Sequence, residues 1–292
     1  MKKRLWIWIL VAPLALAFLC AVLIALSAVV SKYVFTVTHY EISVPLEQNL
    51  RLVQLSDLHN QKFGKDNVRL IERVRALEPD LILMTGDMIN SDDPDLSVIL
   101  DLTREMSDIA PVYCCYGNHE LSWMERFGTD LRHSLEEAGA TVLNANYCDV
   151  CCKGNKLRLG GYEGYYRAPL MTSGGDKVRE KQEFQFFADF ENTDHYKILL
   201  NHIPTSWLDW EYRDDYKVDL VFCGHYHGGQ IRLPFIGGLY APYIGLYPPY
   251  TKGLYPSDPA TVVLSAGLGS EHRILRINNP GEIVCVDLLP EK

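Results

Sequence analysis

Residues 50–59 read Leu50-Arg51-Leu52-Val53-Gln54-Leu55-Ser56-Asp57-Leu58-His59, an apolar run that breaks at an aspartate and a histidine. A run of that length and content reads as a buried strand. The pattern recurs twice downstream. Leu81-Ile82-Leu83-Met84 ends at Thr85-Gly86-Asp87, and Val112-Tyr113-Cys114-Cys115-Tyr116 ends at Gly117-Asn118-His119-Glu120. Asp87 follows Asp57 by 30 residues and Asn118 follows Asp87 by 31. A helix with Val68, Ile71, Val74 and Leu77 on one face fills the first interval, and an amphipathic helix from about Asp95 to Ile109 fills the second. That spacing is the size of a β-α-β unit, so three parallel neighbouring strands are predicted. Their polar ends then share the edge where open α/β sheets bind ligands.

Two later strands end the same way. Lys197-Ile198-Leu199-Leu200 runs into Asn201-His202, and Val218 to Cys223 runs into Gly224-His225-Tyr226-His227-Gly228-Gly229-Gln230. The flanking glycines let the backbone bend sharply, so that both imidazoles can face one centre. Between these blocks the sequence predicts a helix from about Trp123 to Ala138. Strands follow at Thr141–Leu143, Tyr147–Cys152 and Leu157–Leu159, with a turn at Lys153-Gly154-Asn155. Residues 164–183 are less regular and suit a surface insertion or lid. Residues 234–255, dense in Gly, Pro and Tyr, read as a long loop over the site, and Thr261–Leu264, Ile274–Ile277 and Ile283–Leu288 as closing antiparallel strands. No internal repeat and no linker interrupts residues 33–292, which are expected to form one catalytic domain.

The N-terminus has a different composition. Leu5 to Val30 contains no charge, is preceded by Lys2-Lys3-Arg4 and is followed by Ser31-Lys32. A helix of that length exceeds the ~30 Å hydrocarbon core of a bilayer. The apolar run is too long for a typical cleaved signal, and Leu26-Ser27-Ala28 is a poor cleavage site. Residues 1–32 are therefore expected to form a basic cytoplasmic tip and an uncleaved anchor. The excess of basic residues before the span places the rest of the chain outside the cytoplasm.

Over its full 292 residues the chain has an ordinary globular composition, 48% hydrophobic, with a formal net charge of −9. That balance argues against a nucleic-acid partner held by a basic surface. Of the eight cysteines, Cys114, Cys115, Cys223 and Cys285 fall inside apolar runs and read as core. Cys148, Cys151 and Cys152 lack the second pair that a structural zinc site requires, and suit a hairpin with a disulfide or free thiols.

Collected, the strand ends offer Asp57, His59, Asp87, Asn118, His119, His202, His225 and His227. Carboxylate, imidazole and amide oxygen suit Mn, Fe, Zn or Mg, and the number of donors exceeds what one ion needs. A set divided about Asp87 makes a two-metal site, whose usual use is to clamp a phosphoryl group and generate hydroxide.

Asp57-x-His59, Gly86-Asp87, Gly117-Asn118-His119-Glu120, His202 and Gly224-His225-x-His227 together resemble, in order, the motif blocks of the calcineurin-like metallophosphoesterases. With Gly228-Gly229-Gln230, the anchor and Ser265-Ala266-Gly267-Leu268-Gly269, the chain looks like the membrane-associated bacterial branch, which includes UDP-2,3-diacylglucosamine pyrophosphatases. The resemblance implies a four-layer α-β-β-α sandwich of two mixed sheets behind one N-terminal transmembrane helix. It implies two divalent ions, one held by Asp57, His59, Asp87 and His227, the other by Asp87, Asn118, His202 and His225. It further implies that hydroxide at the metals cleaves a phosphodiester or pyrophosphate, small or lipid-linked, while His119 serves the leaving oxygen as catalytic acid. Asn90 stands where the family commonly has a second Asp that orients this histidine. An amide can hydrogen-bond an imidazole but cannot stabilise imidazolium. A non-catalytic envelope protein that kept the fold only to bind metal would have no use for His119. Arg232, Lys252, Arg273 and Arg276 are candidate phosphate contacts.

Overall fold

The computed structural model describes residues 2–163, 174–208, 216–241, 244–256, 260–271 and 275–291. The chain begins with α1 (Lys2–Tyr33), followed by β1 (Phe35–Val44), β2 (Leu50–Leu55), α2 (Val68–Arg75), β3 (Leu81–Thr85), α3 (Ser97–Ser107) and β4 (Val112–Cys115). Next come α4 (Asn118–Phe127), α5 (Leu131–Glu137), β5 (Ala140–Val142), β6 (Asn146–Cys152), β7 (Asn155–Tyr162), α6 (Gly174–Glu191), β8 (Tyr196–Asn201), α7 (Thr205–Leu208) and β9 (Leu220–Cys223). The chain ends with β10 (Arg232–Leu233), β11 (Gly237–Gly238), β12 (Tyr240–Ala241), β13 (Gly245–Leu246), β14 (Gly253–Tyr255), β15 (Thr261–Leu264) and β16 (Gly281–Pro290).

Two six-stranded mixed sheets form the core, in the orders β1-β16-β2-β3-β4-β5 and β14-β15-β9-β8-β7-β6. Strand alternation explains how they stack. On β2, β3 and β16, Leu52, Leu81, Leu83, Val284 and Val286 face Leu159, Ile198, Leu200, Leu220 and Phe222 of the other sheet in one apolar cluster. The opposite faces pack under helices: Val53, Ile82 and Met84 under α2, α3 and α5, and Leu199 and Val221 against Phe186, Phe187 and Phe190 of α6. The result is the expected α-β-β-α sandwich. Buried Gln54 crosses the interior, donating to Thr85 Oγ1 at 2.9 Å and Cys223 O at 2.8 Å, and so ties the sheets together beneath the site.

The predicted run of parallel neighbours holds: β2 pairs with β3 and β3 with β4, all parallel. Other expectations change. The helix over 123–138 is two helices, because Gly128 adopts a left-handed conformation (φ 64°) that ends α4, and Asp130 caps α5 through Arg132 N. In α2, Leu70 is buried, whereas Val68 is 43% exposed. Residues 174–183 belong to α6, while 164–173 lie outside the described residues. The segment 234–255 contains the small antiparallel ladder β12–β13, the strand β11, which pairs with β10 just before it, and the edge strand β14, and Leu239 N bonds Gly229 O and Ile231 O beside the histidine turn. β15 and β16 lie in different sheets, and β15 is parallel to β9. Around Ile277 there is a single bridge to Ile231 rather than a strand, and Ile274 lies outside the described residues.

From Val11 to Tyr33, α1 is long and apolar enough to cross a membrane. Its middle turns stand away from the sheets, with Leu14 70% and Phe18 73% exposed, whereas Ser31 near its end is buried and accepts from Asn279 N.

Candidate metal centre

Five strand ends deliver the eight predicted residues to one place. β2 leads to Asp57 and His59, β3 to Asp87 and β4 to Asn118 and His119, all from the first sheet; β8 leads to His202 and β9 to His225 and His227 from the second. Asp57, His59, Asp87, His202, His225 and His227 are buried, and Asn118 and His119 half-buried. Donor atoms of Asp57, His59 and His227 lie within 4.8 Å of one another, as do those of Asp87, His202 and His225, and those of His59, Asp87 and His119. Across the seam between sheets, His202 Nε2 stands 3.0 Å from Asp87 Oδ2 and His227 Nε2 3.7 Å from Asp57 Oδ1.

The backbone is bent to achieve this. Asp57, His59, Asp87, His225 and His227 all have φ between 46° and 72°, the left-handed region that non-glycine residues avoid at about 1–3 kcal/mol each. Specific bonds hold them there. The carboxylate of buried Glu120 accepts from Asp87 N, Met88 N and Gly117 N at 2.7–2.8 Å, locking the ends of β3 and β4 together. Asp87 Oδ1 accepts from His119 N at 2.8 Å and Asp57 Oδ1 from His225 N at 2.9 Å. Asn279 donates to His227 O at 2.7 Å and Gln230 O at 3.1 Å. Gly86 has φ 83°, and a Cβ there would stand 2.6 Å from Gly117 N, so only glycine lets these strand ends meet.

Glu120 carries no role in the sequence reading above. Its signal was present: an acidic residue three positions after Gly117, at a helix start, is where a side chain reaches back to the first free amide.

Electrostatics separate the histidines. Burial pushes His59 and His227 down to about 3 and drives His225 well below its ordinary value. Burial opposes charge on His202 too, but Asp87 beside it wins and raises it to about 10. Asp87, against its own burial, is held well below the usual carboxylate range by His202. His202 Nδ1 sits 2.8 Å from Thr85 O and serves as its donor, which turns Nε2 inward, the orientation a metal-binding imidazole uses. Asp57 Oδ2, both ring nitrogens of His59, His227 Nδ1 and Asn118 Oδ1 are buried without a hydrogen-bond partner. Buried polar atoms left this way call for an ion, and the oxygen and imidazole donors suit Mn, Fe, Zn or Mg.

Asn90 does not take the expected place. Its amide donates to His59 O at 2.9 Å, while His119 Nδ1 accepts from Ser91 N at 3.2 Å. The candidate phosphate cations are also committed elsewhere. Buried Arg276 donates to the carbonyls of Ala266, Gly269, Asn279 and Pro280. Arg232 binds Gly228 O and Thr251 Oγ1, Lys252 pairs with Glu282 at 2.9 Å, and Arg273 lies outside the described residues. All eight cysteines are free, including those of the β6 hairpin.

Buried carboxylates and imidazoles grouped around one aspartate are the equipment of metal-assisted hydrolysis. The chain belongs to the calcineurin-like phosphoesterase family, whose profile matches residues 50–229. It is similar to the metallophosphoesterase YkuE of Bacillus subtilis strain 168, with 30% identity over 246 residues, covering 82% of this chain and 78% of that one. Phosphodiesterase YaeI of Escherichia coli K12 is 28% identical over 248 residues, 82% of each chain. A metallophosphoesterase of Aquifex aeolicus is 26% identical over 283 residues, 92% of this chain and 97% of that one. The protein is thus a metal-dependent phosphoesterase, of a family that uses a dinuclear divalent centre.

Proposed function

We propose that the chain is a membrane-anchored hydrolase of phosphodiesters or pyrophosphates. In this reading residues 1–32 form the tip and anchor, and residues 33–292 the catalytic domain on the extracytoplasmic side. Asp57, His59, Asp87 and His227 would hold one ion; Asp87, Asn118, His202 and His225 would hold the other. The observation that carries this reading is the pair of donor triads, Asp57-His59-His227 and Asp87-His202-His225, built from buried atoms of two sheets. When bound, the ions supply Lewis acidity and lower the pKa of water toward neutrality.

The chain's own part in the chemistry centres on His119. Its Nδ1 accepts from Ser91 N, so in the neutral ring the proton resides on Nε2. His119 also lies within 4.8 Å of donor atoms of Asp87 and His59, beside the reaction centre but half-buried and open to a ligand. Nε2–H therefore donates to the leaving oxygen as the ester bond breaks. Similarity to the phosphodiesterase YaeI of Escherichia coli supports the phosphodiester part of this reading.

The test is metal analysis of full-length protein together with hydrolysis of bis(p-nitrophenyl) phosphate with and without Mn. Two ions per chain and Mn-dependent release of nitrophenol are expected; absence of both would end the reading. Placement outside the cytoplasm predicts that protease added to intact cells removes the domain.

A further inference from the structure

The donor groups of the candidate centre have a counterpart elsewhere in the first sheet. Among the described residues, ligand atoms of His39, Cys285 and Asp287 also lie within 4.8 Å of one another. His39 on β1 stands directly opposite Cys285 on β16, in a parallel ladder that runs from Phe35–Gly281 to Val44–Pro290. Asp287 follows Cys285 by two residues, so both side chains leave β16 on the same face. That face packs under the helices, where Cys285 shares a cluster with Val53, Ile82 and Met84. Glu41, opposite Asp287 across the ladder, is on this face too and exposed. On its other side Cys285 pairs with Val53, four residues before Asp57. At ~3.3 Å per residue, the group therefore lies on the order of 10 Å back from the sheet edge that holds the centre.

None of these residues serves the phosphoester chemistry described above, yet together they select a metal. Thiolate with imidazole suits zinc, whereas carboxylate with amide oxygen suits Mn and Mg. Charge points the same way. Arg51 and Arg73 lie close enough to act on the Cys285 thiol, so a hard cation held by charge alone would gain little there. Asp287 is held in place by Arg51, whose Nε donates to Oδ1 at 2.7 Å and Nη2 to Oδ2 at 3.1 Å, while Nη1 bonds Leu77 O at 2.9 Å. An ionised carboxylate has about four acceptor sites, so its oxygens keep room for a metal while the guanidinium fixes their direction. His39 is exposed over the buried thiol, which gives the group an approach from solvent. Glu41 and Asp287 face each other as like charges and disfavour the ladder, a cost that a cation between the strands offsets.

We infer that His39, Cys285 and Asp287 form a zinc site, separate from the candidate centre, that clips β1 to β16. Binding exchanges a proton for the metal: the Sγ–H bond of Cys285 breaks, an Sγ–Zn bond forms and the proton passes to water. Three protein ligands leave the fourth tetrahedral position to water or to Glu41. Because β1 directly follows α1, the ion fastens the strand that carries α1 to the last strand of the chain. Mn favours oxygen donors, so the two-ion count expected above with Mn is unaffected.

The experiment titrates the chelated full chain, with its thiols reduced, with Co²⁺ as an optical stand-in for zinc. Thiolate bound to cobalt absorbs in the near ultraviolet, and the oxygen and nitrogen donors of the candidate centre give no such band. One equivalent of the band is expected, lost in Cys285→Ser and retained in Asp87→Ala and in Cys151→Ser. In His39→Ala it should require at least about tenfold more cobalt. Zinc should raise the melting temperature of Asp87→Ala and leave that of the double variant Asp87→Ala with His39→Ala unmoved. His39 is exposed, so its replacement does not threaten folding. Absence of the band from the wild type, its survival in Cys285→Ser, or its loss in Asp87→Ala or Cys151→Ser overturns the site. So does a cobalt affinity or a zinc response that His39→Ala leaves unchanged.

Discussion

The two sheets contribute unlike halves to the candidate centre. The first brings both carboxylates, Asp57 and Asp87, with His59, Asn118 and His119; among the described residues the second brings only imidazoles, His202, His225 and His227. The first half is held by its own bonds, chiefly through Glu120. The second is oriented by the first, since His202 bonds Thr85 O and His225 N bonds Asp57. The carboxylates therefore reside on one side of the seam, and the other side answers them with imidazoles. The lesson is a hierarchy: damage to the first half should propagate across the seam, and damage to the second should stay local.

The largest effect expected is that of Asp87→Ala. As the one carboxylate within reach of donors from both triads, its loss should remove both ions and lower activity by about 10³-fold or more, since several kcal/mol of charge stabilisation go with it. His225→Ala should remove one ion only. Metal counts that fall equally in the two variants would abolish the hierarchy.

Next is His119→Ala, which should slow hydrolysis by about 10²–10⁴-fold with both ions retained. The loss should shrink for nitrophenol leaving groups and persist for alkyl ones. Equal losses would mean that the ring only positions phosphate, and lost metal would make it a ligand of the first half.

A smaller effect is expected of Glu120→Gln, which keeps the shape but gives up a charged acceptor of buried amides. Stability should fall by about 1.5–3 kcal/mol, and metal affinity with it, seen as a lower melting temperature and a weaker Mn titration. An unchanged Mn titration would show that the first half does not depend on this carboxylate.

The last bears on stability alone, as the pH response of the chelated protein. His59 and His227, about 3 in the fold against an ordinary 6.5, contribute stability that is present above 6.5 and lost as pH falls toward 3. His202, about 10 in the fold, contributes stability fully present below 6.5 and lost as pH rises toward 10. The melting temperature should peak near pH 6.5, and added Mn should reverse the alkaline fall because the ion replaces the proton on His202. A monotonic profile would show that the His202–Asp87 pair does not bind the seam.

The same division governs what could be read from the sequence. Strands β2, β3 and β4 were legible because each is a short apolar run followed, at an interval of about 30 residues, by another, and local spacing implies parallel neighbours. The histidines of the second sheet were legible as chemistry, but nothing local says that His227 faces Asp57 across 170 positions. Asn90 misled for a related reason: its place in a motif suggests a partner for His119, whereas the left-handed turn at Asp87 swings it toward His59 O. Glu120 was visible as a helix-start residue, yet its acceptance of the Asp87 and Met88 amides, 33 and 32 residues away, depends on two strand ends meeting. Arg276 looked like a phosphate ligand because sequence does not reveal that four carbonyls surround it.

β1 and β16 raise a question of folding order. β16 lies between β1 and β2, with Phe35 opposite Gly281 on one side and Val53 opposite Cys285 on the other. The strand that follows α1 therefore has no neighbour in the sheet until a segment some 240 residues later is inserted beside it. Closing so long a loop is slow, and contacts of that separation form late. β1 is therefore expected to remain an unpaired edge while the β2–β4 unit condenses on its own. Insertion of β16 then acts as the closing wedge. Because Gly281 N bonds Val34 O and Asn279 N bonds Ser31, the same step seats the end of α1 beside the His227 turn, whose carbonyl Asn279 holds. Assembly of the site and docking of α1 would be one kinetic event.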